Sequence, residues 1–368
     1  MSRIRVQDVC AAMERWAPSA YAYGWDSVGL HVGDPDAPVT RVLTCLTPGE
    51  EALKAARKAK AELVVAHHPL IFKPLKHLRF NSPQARLCLD FAAAGVGCFC
   101  AHTNLDIVPA GVSHVLAEKL GVSECRPLFP ADHVPLLKLV VFVPESHLNV
   151  LRDAVSQAGA GIIGDYTHCT YSSPGRGTFL PGDGATPFLG KVGEVNVERE
   201  RRFETLVPEA LLRPVLKAMR SVHPYEEPAY DLVMLKNSDA RLGLGVRGEL
   251  EDPLSPKDFA ARIREALGAD SLRWVAGRKK TIQRVAVLGG SGGGDIARMP
   301  HDVDAYVTGD VKYHDADLAR ARGLHVFDAG HVPTELPIVP GIAEYLKSQL
   351  KGLKTTPWLE SDPFQLQP

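Results

Sequence analysis

No run of apolar residues in this sequence approaches the roughly 20 that a helix needs to span a bilayer, so a helical membrane protein is not expected. The opening segment carries Arg3 and Arg5 but lacks an apolar stretch of signal-peptide length. The expected compartment is therefore the cytoplasm. An excess of one charge is missing as well: 42 Lys and Arg against 43 Asp and Glu leave a formal net charge of -1. Nucleic-acid and membrane-surface binders show a basic stripe that this balance does not suggest, although a local basic pocket for a phosphorylated ligand stays open. The C-x-x-C spacing is absent too. Cys10, Cys45, Cys88, Cys98, Cys100, Cys125 and Cys169 are scattered, which argues against a cysteine-ligated structural zinc. Cys98 and Cys100 alternate along an apolar strand and read as buried thiols.

What is present is ample core material. The chain has 368 residues, 45% of them hydrophobic and 23% charged, enough for two to three domains. Residues 6–18 place apolar side chains at helical spacing, whereas RVLTCLTP (41–48), ELVVAHHP (62–69) and GVGCFCAH (95–102) read as short apolar strands. Helical patterns separate them, one opening at Ser82-Pro83 as a cap and first-turn pair. This βαβα order predicts a mostly parallel sheet with helices on both faces. The middle reads differently, as strand 138–144, helix 146–159, strand 164–173, a Gly/Pro-rich loop or hairpin, strand 200–208, helix 210–224 and strand 229–235. That βαββαβ order is a ferredoxin-like unit; Pro214 must sit in the first turn of its helix or kink it. From residue 255 the βα alternation returns. The expected architecture is α/β, a two-layer-type core formed by both chain ends (1–130 plus 237–368) with an inserted ferredoxin-like α+β domain at 131–236.

Three strand ends concentrate polar chemistry. In Ala66-His67-His68-Pro69 the two imidazoles point to opposite sides of an extended backbone, and the proline keeps His68 out of helical geometry. His102 and Asp106 share a face whether the chain stays extended or turns helical. His331 and Glu335 repeat the His-to-carboxylate spacing, with Gly330 permitting a tight turn and Pro333 compatible with a helix start. Each could equally be a capped strand end or a surface turn. Together they lie where open α/β sheets gather ligands, beyond the carboxyl ends of the strands. Imidazole and carboxylate without thiolate suit zinc, manganese or iron in the divalent state. Five or six such groups exceed the needs of one tetrahedral ion, and two ions would use them.

These motifs resemble the NGG-interacting-factor-three-like family, also called dinuclear metal centre hexameric proteins and GTP cyclohydrolase I type 2 homologs. The resemblance runs through WDSVGLHVGD (25–34), AHHPLIF (66–72), AHTNLD (101–106), HPYEEPAYD (223–231), TGDVKYHDA (308–316) and DAGHVPTE (328–335). It implies two divalent metal ions per chain held by His67, His68, Asp106, His331 and Glu335, with Glu335 bridging. His102 then acts beside the ligands or as a proton shuttle. It also implies an inserted domain of the PII/CutA-like type and a homohexamer, a trimer of dimers with the metal sites facing an internal cavity. The family commonly reads WDNVGLQVGD, so Ser27 and His31 are departures; His31 could be a substitute polar contact or a turn residue.

Other polar groups gather near these motifs. Gly289 to Gly294 could cradle a phosphate or form a permissive turn, but lacks the Lys-Ser/Thr of a P-loop. Asp310, Lys312 and His314 could line the same cavity, with Lys312 on a phosphate and His314 as acid or base, or could simply start a helix. Asp26 is a candidate supporting carboxylate. HPYEEP reads as a rigid turn. The functional expectation is a metal-dependent hydrolase acting on a nucleotide or phosphorylated small molecule, with His102 and His314 as candidate proton carriers. The resemblance suggests GTP and opening of its imidazole ring with release of formate. The alternative is a metal-binding scaffold or regulator without turnover.

Overall fold

Strands Leu63–Ala66 and Gly97–Cys100 are apolar and buried at every position, as expected of parallel strands covered on both faces. The computed structural model describes residues 3–269 and 271–364. By its contacts the chain falls into two units, Met1–Pro130 with Arg241–Pro368, and Ala131–Ala240. Within the first unit the alternation expected from sequence forms two sheets. One has the order Gly29–Val32, Gly97–Cys100, Leu63–Ala66, Arg41–Cys45, Lys354–Pro357. All its pairs are parallel except the first, where Gly29 lies opposite Cys100. Helices Glu50–Ala59 and Pro83–Ala93 supply Ala52, Ala56, Cys88 and Phe91 to the core beside Leu43, Cys45, Val64 and Cys98. Helix Ile338–Gln349 is tied to this sheet by the Thr44 hydroxyl, which donates to the Val339 carbonyl at 2.9 Å.

The second sheet has the order Arg273–Val275, His325–Asp328, Ala305–Gly309, Ile282–Ser291, Gly243–Leu254, Val122–Pro130. Its three central strands run parallel and the outer ones antiparallel. Helix Pro256–Leu267 buries Phe259 and Ile263 against it, with Phe259 edge-on to Phe327 at 5.3 Å. Each such fully buried side chain stabilises the unit by about 1.5–3 kcal/mol. Ser255 caps that helix by accepting from the Asp258 amide, and Gly268 ends it in the left-handed region. The two sheets thus bring several parallel strand ends into one unit: Ala66 before His67, Cys100 before His102, Gly309 before Asp310 and Asp328 before His331.

The second unit is the inserted ferredoxin-like domain. Strands Pro135–Pro144, Thr170–Phe179, Asn196–Pro208 and Tyr230–Ser238 form one antiparallel sheet, ordered second, third, first, fourth. Leu139, Val141, Val143 and Phe203 pack against Leu151 and Val155 of helix Leu148–Gln157 and against Val215 and Met219 of helix Leu212–Val222. Pro214 sits in the first turn of the latter, where its missing amide proton costs no hydrogen bond. The Gly/Pro-rich stretch proves to be a hairpin, since the strand continues through Gly175 and Gly177 to Phe179. Among the described residues no helix is long and apolar enough to cross a membrane. All seven cysteines are free, with Cys98 and Cys100 buried.

Candidate metal centre

His67 carries the decisive geometry. It follows strand Leu63–Ala66 and is fully buried. Its Nδ1–H donates to the Ala101 carbonyl at 2.9 Å. A carbonyl can only accept, so this bond fixes the tautomer and leaves the Nε2 lone pair outward. That Nε2 faces Asp106 Oδ1 at 3.6 Å and Glu335 Oε1 at 3.8 Å and has no hydrogen-bond partner. An acceptor nitrogen buried against two carboxylates requires a positive charge between them, either a proton or a cation.

The same arrangement recurs around it. His331 Nδ1–H donates to Asp310 Oδ2 at 2.7 Å, and His102 Nδ1–H donates to Asp26 Oδ1 at 2.9 Å. In metal sites the distal ring nitrogen of a histidine ligand is typically held by a carboxylate or carbonyl in this way, which aims Nε2 at the ion. His68 differs: its Nδ1 lies 3.0 Å from the Thr47 hydroxyl, and its Nε2 is 2.9 Å from Glu335 Oε2. His331 Nε2 reaches the same oxygen at 3.0 Å and lies 3.4 Å from His68 Nε2. Among the described residues, donor atoms of His67, His68 and His102 lie within 4.8 Å of one another, as do those of His68, His331 and Glu335. The two triads share His68, so the donor set can hold metal, and its neutral-nitrogen and carboxylate character fits a divalent cation.

Local sequence explains each placement. Residues 102 to 106 turn helical, with His102 preceding the short helix Thr103–Asp106. His331 and Glu335 open and close the short helix His331–Glu335, one turn apart, so both side chains project from one face. Gly330 enters that helix at φ +89°, which favours glycine. Asp310 holds φ +54°, an uncommon conformation for a residue with a side chain, at the position that bonds His331.

Charge in the cluster is strongly coupled. Burial works to lower the His67 pKa, but the Asp106 and Glu335 carboxylates outweigh it and hold it at about 9. His331 is raised to about 9 by its bond to Glu335, against burial and with help from Asp310. Burial raises Asp106 to about 6, opposed by His67. Burial would also raise Glu335, yet the imidazoles of His331, His67 and His68 drive it well below the ordinary carboxylate range. His68 is lowered, chiefly by burial.

The structure thus brings His67, His68, His102, Asp106, His331 and Glu335 together. His314 is apart from these contacts, exposed on helix Tyr313–Arg322 with its ring against Tyr313 at 5.3 Å. Lys312 is exposed at the start of that helix. The Gly-rich turn meets the cluster through Gly290: a Cβ there would lie 2.0 Å from Glu335 Oε1. Thr47, the Ala101 carbonyl and this contact were not singled out from sequence. Thr47 follows the strand parallel to Leu63–Ala66, and that adjacency was the available signal. His31 lies in strand Gly29–Val32, where its Nδ1 accepts from the Ile71 amide at 3.1 Å, so it is a polar contact. In the HPYEEP segment, His223 Nε2 donates to the Phe142 carbonyl at 3.1 Å.

With the geometry established, the relatives carry weight. A family model described as Duf34/NIF3 (NGG1p interacting factor 3) matches residues 4–362. The chain is 39% identical to a GTP cyclohydrolase 1 type 2 homolog of Halalkalibacterium halodurans, covering 97% of this chain and 98% of that protein. It is 38% identical to the one from Bacillus subtilis, covering 95% and 93%. The crystal structure of a Bacillus cereus protein related to NIF3 superposes with a TM-score of 0.88 at 35% identity, covering all of both chains. The chain belongs to the Duf34/NIF3 (NGG1p interacting factor 3) family.

Proposed function

We propose that this protein is a dinuclear divalent-metal hydrolase that acts on a nucleotide or another phosphorylated small molecule. The observation that carries the reading is the unpartnered Nε2 of His67, aimed at Asp106 and Glu335 from a tautomer locked by the Ala101 carbonyl. His67, His68, Asp106, His331 and Glu335 would hold two ions, zinc, manganese or iron, with Glu335 placed to serve both. When bound, such ions lower the pKa of a coordinated water and polarise the substrate atom under attack.

The chain's own residues do the rest. Ala101, Asp310 and Asp26 pin three imidazoles in fixed tautomers, so the donor atoms need no reorganisation. His102, backed by the Asp26 carboxylate, can take up a proton at Nε2 and pass it on. Asp26 suits that role because hydrogen bonds from His102 and Thr103 overcome its burial and keep it ionised. On this reading His102 carries the proton step ahead of His314. The names of the relatives support GTP as a first substrate to assay. A homohexamer and a cytoplasmic location complete the proposal, the latter supported by seven free cysteines.

The test combines metal analysis with turnover. Metal-replete wild type, His68→Ala and Glu335→Ala are assayed on GTP, a nucleotide panel and simple phosphoesters. Metal-dependent product formation that disappears in both variants supports the hydrolase. Tight metal binding with no turnover across the panel would replace it with a scaffold. Less than one metal per chain after metal-supplemented expression would remove both.

A further inference from the structure

Beside the cluster stands an aromatic wall that the metal reading does not use. Trp25 is 61% exposed and Phe72 43% exposed. Their rings meet edge to face at 6.0 Å, and each lies 6.4 Å from the His102 ring. His102 in turn is 5.3 Å from His67 and 5.9 Å from His68. Tyr23 stacks behind Trp25, 5.8 Å away and inclined by only 4°.

Hydrogen bonds anchor the Trp25 side of this wall. Asp26, next to Trp25, accepts from His102 Nδ1, the Thr103 amide, the Thr103 hydroxyl and the Ser27 amide. The Tyr23 amide donates to the Thr103 hydroxyl at 3.2 Å. The backbone on both sides of Trp25 is therefore anchored to the residues that hold His102. Leaving a large aromatic exposed forgoes stabilisation that burial would give. Fixing it beside a polar cluster preorganises a surface on which a flat ring can stack.

We infer that Trp25 and Phe72 are specificity-determining residues, forming a platform for a planar heteroaromatic ring whose polar arm reaches the metal cluster. The inference rests on the proposed metal centre and narrows its substrate class to molecules that join a flat ring to a phosphate or similar group. Stacking on an aromatic side chain tolerates many ring types, so the platform selects for a ring without dictating which one.

The test uses binding, which separates it from turnover. Guanosine 5′-monophosphate and ribose 5-phosphate carry the same phosphate arm, and only the first has a ring. Both are titrated calorimetrically into the metal-loaded wild type, Trp25→Leu and Phe72→Leu, with metal content and oligomeric mass measured for each. The wild type should prefer the ring-bearing probe by roughly tenfold or more. Trp25→Leu should erase most of that preference and leave ribose 5-phosphate affinity, metal content and mass unchanged. Equal affinity for the two probes in wild type, failure of both to bind, or a preference that survives both substitutions would overturn the inference. So would a change in oligomeric mass, which would make the wall a subunit contact. If ring preference holds while no substrate turns over, the hydrolase reading fails and the platform stands. If metal-dependent turnover persists without ring preference, the reverse applies.

Discussion

Gly290 sits directly against the Glu335 carboxylate, since a Cβ there would lie 2.0 Å from Oε1 and 2.9 Å from Cδ. Its φ of +70° independently favours glycine. Gly290 of the Gly-rich turn is thereby explained by close approach of backbone to a carboxylate.

Gly290→Ala should therefore damage the centre more than the fold. The left-handed backbone alone costs about 1–2 kcal/mol, and Glu335 must move as well. Thermal unfolding should show modest destabilisation while metal content drops sharply. Gly294→Ala, where an added Cβ meets nothing within 4 Å, is the control and should match wild type in both measurements.

Glu335→Gln keeps the size of the side chain and removes the charge that three histidines share. Bound metal should fall well below the wild-type stoichiometry when measured by elemental analysis after dialysis. Wild-type metal content in this variant would show that Glu335 is not a ligand.

Asp26→Asn isolates the positioning of His102. The amide has one acceptor oxygen in place of two, so it cannot serve both His102 Nδ1–H and the Thr103 amide, and its hold on the imidazole tautomer weakens. Outer-shell changes of this kind typically cost 10- to 100-fold in metal affinity or activity, and roughly that loss is expected here. Nitrogen-15 imidazole spectra should show the His102 tautomer change, which mere surface damage would not produce.

Asp304 offers a pH test remote from the cluster. Burial would raise its pKa, but the Arg284 and Gln283 amides and the Lys279 ammonium lower it overall. A carboxylate with a depressed folded-state pKa adds stability above its unfolded value, about 3.9, and that stability is lost as pH falls through the folded value. Asp304→Asn should lower stability at pH 7 by about 1–3 kcal/mol. The gap from wild type, read from urea unfolding, should shrink below about pH 4.

The sequence announced the chemistry better than its supports. Adjacent His67 and His68 before Pro69, and the four-residue spacings from His102 to Asp106 and from His331 to Glu335, are local patterns that strand and helix periodicity can expose. The choice between extended and helical geometry at residues 102–106 was beyond it, because both satisfy the same spacing. Two sheets rather than one also escaped it. Strands such as Val122–Pro130 and Lys354–Pro357 show little apolar pattern, being half-exposed edges whose partners lie far along the chain. Thr47 and the Ala101 carbonyl matter only because neighbouring strands set them beside imidazoles. At His314 the alternation with Asp310 suggested an extended segment with a shared face, but a helix begins at Tyr313 and His314 is exposed on it.

His68 and Glu335 are 267 residues apart in the chain yet meet at 2.9 Å. Synthesis at about 5–20 residues per second separates their emergence from the ribosome by roughly a quarter of a minute to a minute. Throughout that interval the early imidazoles have no carboxylate from the far end to close around a cation. A cation that needs donors from both ends of this span could be gripped by the full set only once Glu335 has been made.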